Sequence, residues 1–295
     1  MSDRKLVVLS LLTSRQEFQK QQEVEARGVA GRAGLAVEVV YVENDPARQI
    51  AQIEEYLKRP PPERPAAFLV EAVATVGFEK IARSALAARA GWVLVSARAP
   101  YLETLRRDFP GMLVSSASVD DLEIGRIQGR QLKALLPRGG RVLLVEGPSA
   151  SAATMLRRRM ADQELKGSKV QFAHAVSADW TTEGAEWAVS SWLGENREAR
   201  FEVVCAQNDE MALGARNAVR NHRPDWEGPF TGCDGLPDGG QRLVREGQLA
   251  ATVVKPPTGG AGMELVVTAL RGEPVPPHVL LPPRSVPELD ALGKK

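Results

Sequence analysis

Short apolar runs alternate with longer stretches whose apolar positions recur at helical spacing. Lys5–Leu12 is an apolar run that predicts a first strand. Between Gln16 and Ala33, the residues Gln22, Ala26, Val29, Ala30 and Ala33 share one helical face, and Gly34 ends the segment. Leu35–Val42 alternates and predicts a second strand. Asn44-Asp45-Pro46 opens a helix, with proline in the first turn where its missing N–H costs nothing. That helix carries Ile50, Ile53 and Leu57 and stops at Pro60-Pro61-Pro62. Strands follow at Ala66–Val70, Trp92–Ser96 and Met112–Ser116, with a helix at Phe78–Ala90. Strands alternating with helices predict a parallel sheet covered on both faces.

The pattern then restarts. Helices are predicted at Asp120–Leu136, Ala152–Leu165, Thr182–Leu193, Asp238–Glu246 and Gly260–Leu270. Strands are predicted at Arg141–Val145, Val170–Val176, Phe230–Cys233, Leu249–Val254 and Val279–Leu281. Gly125 and Gly129 sit four apart on the first of these helices, among charged neighbours, which suits close packing against another helix. Between them in the chain order, Val203-Val204-Cys205-Ala206 reads as a strand buried on both faces. Polar Gln207–Glu210 follow, and then a helix with acids in its first turn. Asn208 thus stands at the carboxyl end of a strand, where open α/β sheets bind small molecules. Its amide can donate to and accept from a hydroxyl. It is equally a favoured helix N-cap.

Composition narrows the function classes. The chain has 295 residues, enough for two domains, with 43% apolar and 25% charged residues. A net charge of +1 gives no overall field to draw in nucleic acid or an acidic membrane. The start, Met1–Leu12, is too short for a membrane span and lacks a small-residue cleavage site. As given, the chain therefore reads as cytoplasmic, or as periplasmic if a leader has been removed. Cys205 and Cys233 fall in strand-like runs and read as buried thiols. No phosphate loop, dinucleotide fingerprint, zinc-protease helix or nucleophile elbow occurs, and three scattered histidines lack metal or triad spacing. No catalytic group, metal or cofactor is expected.

Three segments in order carry a family resemblance: AQNDEMALGA at 206–215, GCDGLPDG at 232–239 and GQLAATV at 247–253. They resemble the C-terminal half of ribose-binding proteins. They are also similar to other type I periplasmic binding proteins and to the effector domains of lactose-repressor-type regulators. The resemblance implies two similar α/β lobes, each a parallel sheet with helices on both faces, joined by a three-strand hinge. Crossings near Ala117, Lys255 and Pro282 give lobes of 1–117 with 256–281, and 118–255 with 282–295. Such proteins close by hinge motion around a ligand held between the lobes. The helix-turn-helix that precedes the first strand of the repressors has no counterpart before Lys5.

The resemblance also assigns residues. Asp234 ends a strand and can accept two hydroxyl hydrogen bonds, though an Asp before Gly is also a common turn residue. Trp180, between a strand and a helix, matches an aromatic ring that covers one face of a sugar; its alternative is packing. Arg157 matches a ligand-binding arginine, with the register open by one among Arg157–Arg159. Arg98 matches a second, but Ala97 stands where an aspartate usually precedes it. Lys255 replaces a glutamine, so it only donates. Phe18 matches one of two aromatics, Gln19 replaces the other, and Gln16 stands where asparagine is usual. Glu71 follows a strand and faces the same cleft.

The second-lobe wall is thus kept and the first-lobe wall differs, so the expected ligand is sugar-like but not ribose. Arg98, Arg157 and Lys255 against Glu71 and Asp234 imply a slight positive excess that suits a carboxylate or phosphate. The leading expectation is the non-enzymatic substrate-binding component of an ABC-type sugar transporter, with a membrane permease as partner. The alternative is a cytoplasmic ligand sensor that acts on a regulatory partner protein. Neither involves nucleic acid or membrane insertion.

Overall fold

The structure is a computed structural model that describes residues 4–74, 76–149 and 151–293. The first three residues of the Met1–Leu12 start, and the last two of the expected second lobe, lie outside the described residues. In chain order the elements begin with β1 (Leu6–Leu11), α1 (Glu17–Arg32), β2 (Ala36–Tyr41), α2 (Pro46–Lys58) and β3 (Ala67–Val70). Next come α3 (Phe78–Ala87), β4 (Gly91–Val95), α4 (Tyr101–Asp108) and β5 (Val114–Val119). Then follow α5 (Asp121–Leu135), β6 (Gly140–Glu146), α6 (Ala152–Leu165), β7 (Val170–Ser177) and α7 (Thr182–Glu195). The rest are β8 (Val203–Ala206), α8 (Asp209–His222), β9 (Phe230–Asp234), α9 (Gly240–Arg245), β10 (Ala251–Val254), α10 (Gly259–Leu270), β11 (Val279–Leu281) and β12 (Arg284–Val286).

The chain divides into two compact units. One comprises Met1–Val119 and Pro257–Leu281, the other Asp120–Pro256 and Pro282–Lys295. The chain therefore passes between the units three times. Each unit holds a six-stranded sheet, ordered β11-β5-β4-β3-β1-β2 in the first and β12-β10-β9-β8-β6-β7 in the second. The pairings are parallel except for β12, which runs antiparallel to β10.

Alternation along each strand sends neighbouring residues to opposite helix layers. In the first unit Val8, Phe68, Val70, Trp92 and Leu94 pack against α2 and α3. Their neighbours Val7, Leu9, Leu69, Val93 and Val95 pack against α1 and α10. In the second unit Leu143, Val145, Val204 and Ala206 meet α7 and α8, while Val142, Leu144, Val203 and Cys205 meet α5 and α6. Each such buried side chain contributes roughly 1.5–3 kcal/mol relative to exposure. A Cβ on Gly125 would come 2.3 Å from the Arg157 carbonyl oxygen, so glycine there sets how closely α5 and α6 approach.

Local departures from the periodicity have physical reasons. Helix α4 presents only Leu102 and Leu105 to the interior, too few positions to show a period. Strand β12 is three residues long between prolines, and its buried Ser285 is polar. Strand β5 begins two residues later than expected and runs on through Ser116, because Ser115, Ser116 and Ser118 are buried strand residues despite their polarity.

Both cysteines are buried free thiols. Burial pushes the Cys205 thiol up to about 11 and the Cys233 thiol up to about 12. Neither should react with a thiol-specific disulfide reagent at pH 8 in the folded chain, and both should react in denaturant. Rapid native modification of either would contradict this burial.

Candidate functional site

Both sheets change strand order at one place, β1/β3 in the first unit and β6/β8 in the second. The carboxyl ends at such points are where open α/β sheets hold ligands.

In the second unit this point is crossed by side-chain bonds. The Gly147 N–H after β6 donates to Oε1 of Gln207 after β8 (3.0 Å), and Gln207 Nε2 donates to the Thr154 carbonyl (3.1 Å). Arg157, only 2% exposed, donates from Nε to Asp121 (2.9 Å) and from a terminal nitrogen to the Gln207 carbonyl (2.7 Å). Its guanidinium carbon lies 5.8 Å from the centroid of the Trp180 ring. Arg158 instead pairs with Glu146 and Asp162, and Arg159 is exposed, so Arg157 is the member of the trio that turns inward.

Asn208 is the N-cap of α8. Its Oδ1 accepts from the Met211 N–H (2.8 Å), while its Nδ2 donates to the Trp180 carbonyl (2.9 Å). The amide thus caps a helix and tethers the loop that carries the tryptophan. Trp180 and Asp234 both have left-handed backbones, φ 72° and 96°. Such a conformation is rare for a bulky residue, and strained positions of this kind cluster at functional sites. The indole lies against Gly147, where a Cβ would come 2.1 Å from Cζ2. Gly147→Ala should therefore displace the Trp180 ring. The measurement is the emission difference between Gly147→Ala and its Trp180→Phe double variant, against the same difference in the parent; identical difference spectra would contradict the contact.

Asp234 is half-buried at the end of β9, and burial raises its pKa while Lys255 and Arg157 pull it back. The turn behind it is fixed by Asp209, whose place in the sequence marks it only as a first-turn acid. Asp209 is buried, accepts from the Gly235 N–H (2.6 Å) and the Thr252 hydroxyl (2.6 Å), and fits because Gly232 and Gly240 leave room. Burial, and then the charge of Asp234, push its pKa well above the carboxylate range.

The first unit assembles a different set. Gln16 is the N-cap of α1, and Phe18 on the same helix is buried. Glu71, 7% exposed, follows β3 and accepts from Gln22 Nε2 (3.2 Å). Gln22 also donates to Ser96 (2.7 Å), and its Oε1 accepts from the Thr258 and Gly259 N–H groups, capping α10 from another helix. Gln19 accepts from the Leu12 N–H (3.2 Å), which makes it a bracket at the end of β1. Gln22 and Gln19 carried one legible signal: glutamines on an otherwise apolar helix face. Arg98, which follows β4, borders a small pocket with Arg106, Ser116 and His278.

The arrangement in the second unit is a half-exposed aromatic ring beside an amide and a cation at a sheet's switch point, with the Asp234 carboxylate in the field of that cation. A family model described as the periplasmic binding protein domain matches residues 7–274. The chain belongs to the periplasmic binding protein domain family. Over 181 residues it is 29% identical to the ribose import binding protein of Salmonella typhimurium, covering 61% of this chain and 60% of that one. Over 142 residues it is 32% identical to the D-allose-binding periplasmic protein of Escherichia coli, covering 47% and 45%. These alignments thus span less than two thirds of either relative. Among solved structures, an ABC transporter periplasmic solute binding protein from Actinobacillus succinogenes with bound D-allose superposes with a TM-score of 0.84 at 19% identity, covering 97% of this chain and 98% of that one. Within this family the two units are the two α/β lobes, and both curated relatives are named as binding proteins.

Proposed function

We propose that the chain is a non-enzymatic solute-binding protein that captures a sugar-like molecule with the strand-end groups of its lobes, as the substrate-binding component of an ABC-type transporter. The single observation that carries the reading is the convergence of Arg157, Trp180 and Asn208, with Asp234 in the field of both Arg157 and Lys255. An apolar ring suits the C–H face of a sugar, and the polar groups suit its hydroxyls. Ligand binding at both lobes would drive closure by favouring the closed population. The names of the relatives favour transport over sensing, with a membrane permease as partner and a place of work outside the cytoplasmic membrane.

The charges support a neutral ligand rather than an anion. Arg157 is already paired with Asp121, and Arg98 borders a small pocket of its own lobe, which reduces the positive excess that the residue types suggest. A thermal-shift screen of pentoses, hexoses, polyols, sugar acids and sugar phosphates, followed by calorimetry, tests the reading. Saturable one-to-one binding of a neutral sugar or polyol is expected. Exclusive binding of sugar phosphates would overturn the neutral assignment, and no binding across the panel would overturn the sugar assignment.

A further inference from the structure

The pocket beside Arg98 belongs wholly to the first unit. Arg98 follows β4, Arg106 lies on α4, Ser116 on β5, and His278 just before β11; Glu103 completes its charged wall. Among the described residues neither arginine makes an ion pair. Their neighbours differ: Arg83 and Arg107 both pair with Asp108. Arg106 uses one terminal nitrogen on the carbonyls of Val114 (3.5 Å) and Pro277 (3.3 Å), and a guanidinium has five N–H donors in all. The pocket volume is about 140 Å³. That admits a small ion with a few waters and falls well short of the roughly 300–1,000 Å³ of sites for larger organic ligands.

The back wall is arranged for proton uptake. His278 Nδ1 lies 2.9 Å from the Ser116 hydroxyl and Nε2 lies 3.4 Å from the Ser118 hydroxyl. A neutral ring must accept one hydrogen bond, which ties up a serine proton. A protonated ring donates from both nitrogens, so neither serine O–H is held by it and the Ser116 O–H can turn to the pocket. Burial, then the positive charges of Arg98 and Arg106, hold the His278 pKa below its ordinary value, while its bond to Ser116 works the other way. The field of the two arginines therefore reaches the ring.

We propose that this pocket binds a small inorganic oxyanion of the sulfate or phosphate class, held by Arg98, Arg106 and Ser116 with His278 behind them. An anion between two unpaired guanidiniums gains charge-assisted hydrogen bonds from both. It also offsets their repulsion of the imidazolium, so binding takes up a proton at His278 and strengthens as pH falls. Glu103 opposes it. Ser116 and His278 each lie three residues before a passage between units, at Val119 and Leu281, so an occupied pocket clamps two of the three crossing segments at their base. This inference does not depend on the sugar reading.

Sulfate is the probe, because its charge stays fixed across the relevant pH range. Full-length protein is titrated with sulfate by calorimetry at constant ionic strength, balanced with chloride, at pH 6 and pH 8. The expected result is saturable one-to-one binding, tighter at pH 6, weakened at least about tenfold in Arg106→Gln and tightened in Glu103→Gln. The Glu103→Gln gain cannot come from misfolding. His278→Gln is expected to keep binding and lose its pH dependence. Absence of saturable sulfate binding in about the millimolar range, or equal binding by wild type, Arg106→Gln and Glu103→Gln, would overturn the proposal.

Discussion

Arg157→Ala is expected to lower the unfolding free energy by about 3–5 kcal/mol, the usual cost of removing one partner from a buried ion pair. The guanidinium is 2% exposed and bridges Asp121 on α5 and the Gln207 carbonyl after β8. Its loss leaves the half-buried Asp121 carboxylate and the buried Gln207 carbonyl without this donor and removes the cation beside the Trp180 ring. Arg157→Lys should recover little, since an ammonium cannot span both acceptors with the planar fork that arginine supplies. Chemical denaturation measures the change. A stability within about 1 kcal/mol of wild type would show that the bridge is not structural.

Asp234→Asn is expected to separate binding from stability. Asparagine tolerates the left-handed backbone at this position, so the change is chiefly one of charge. Hydrogen bonds to a charged group contribute about 1.5–3 kcal/mol, so affinity for the proposed sugar-like ligand should fall roughly tenfold to 150-fold. Stability should move the other way. Burial raises the Asp234 pKa in the folded chain above its unfolded value, against the pull of Lys255 and Arg157. The folded state therefore holds the proton longer, and wild-type stability falls as pH rises from the ordinary carboxylate range through the raised pKa. The ligand-free variant escapes that loss: it should be more stable than wild type at pH 7 and no more stable below about pH 3. A variant that binds normally, or that is destabilised at pH 7, would contradict this account.

Most strands and helices were legible because the central strands are buried on both faces and the longer helices bury one face. Phe68–Val70 and Val203–Ala206 read as continuous apolar runs, and α8 as a periodic face. Helix α4 and strand β12 were not legible, because one shows two apolar positions and the other hides a buried serine between prolines. In the site, the three family segments marked Asn208 and Asp234 at strand ends, while only burial and partners single out Arg157 as the inward-turning member of Arg157–Arg159. The partners of the braces were not legible, although Gln22 stood out as a glutamine on an apolar helix face. Gln207, Asp209 and Gln22 meet groups far away in sequence, and a polar residue does not announce which N–H, carbonyl or hydroxyl it will meet. Asn208 shows the same limit from the other side: its capping and its tether to Trp180 use one amide for two structural bonds.

A polyhydroxylated ligand on the strand-end groups of the second unit can be seen directly in a crystal structure of the protein with the sugar or polyol selected by the thermal-shift screen. The expected density shows a ring face against the Trp180 indole, hydroxyls on the Asp234 carboxylate, and Asn208 or Arg157 within hydrogen-bond reach. A ligand seated elsewhere, with Trp180 still packed on Gly147 and Asp234 untouched, would contradict it.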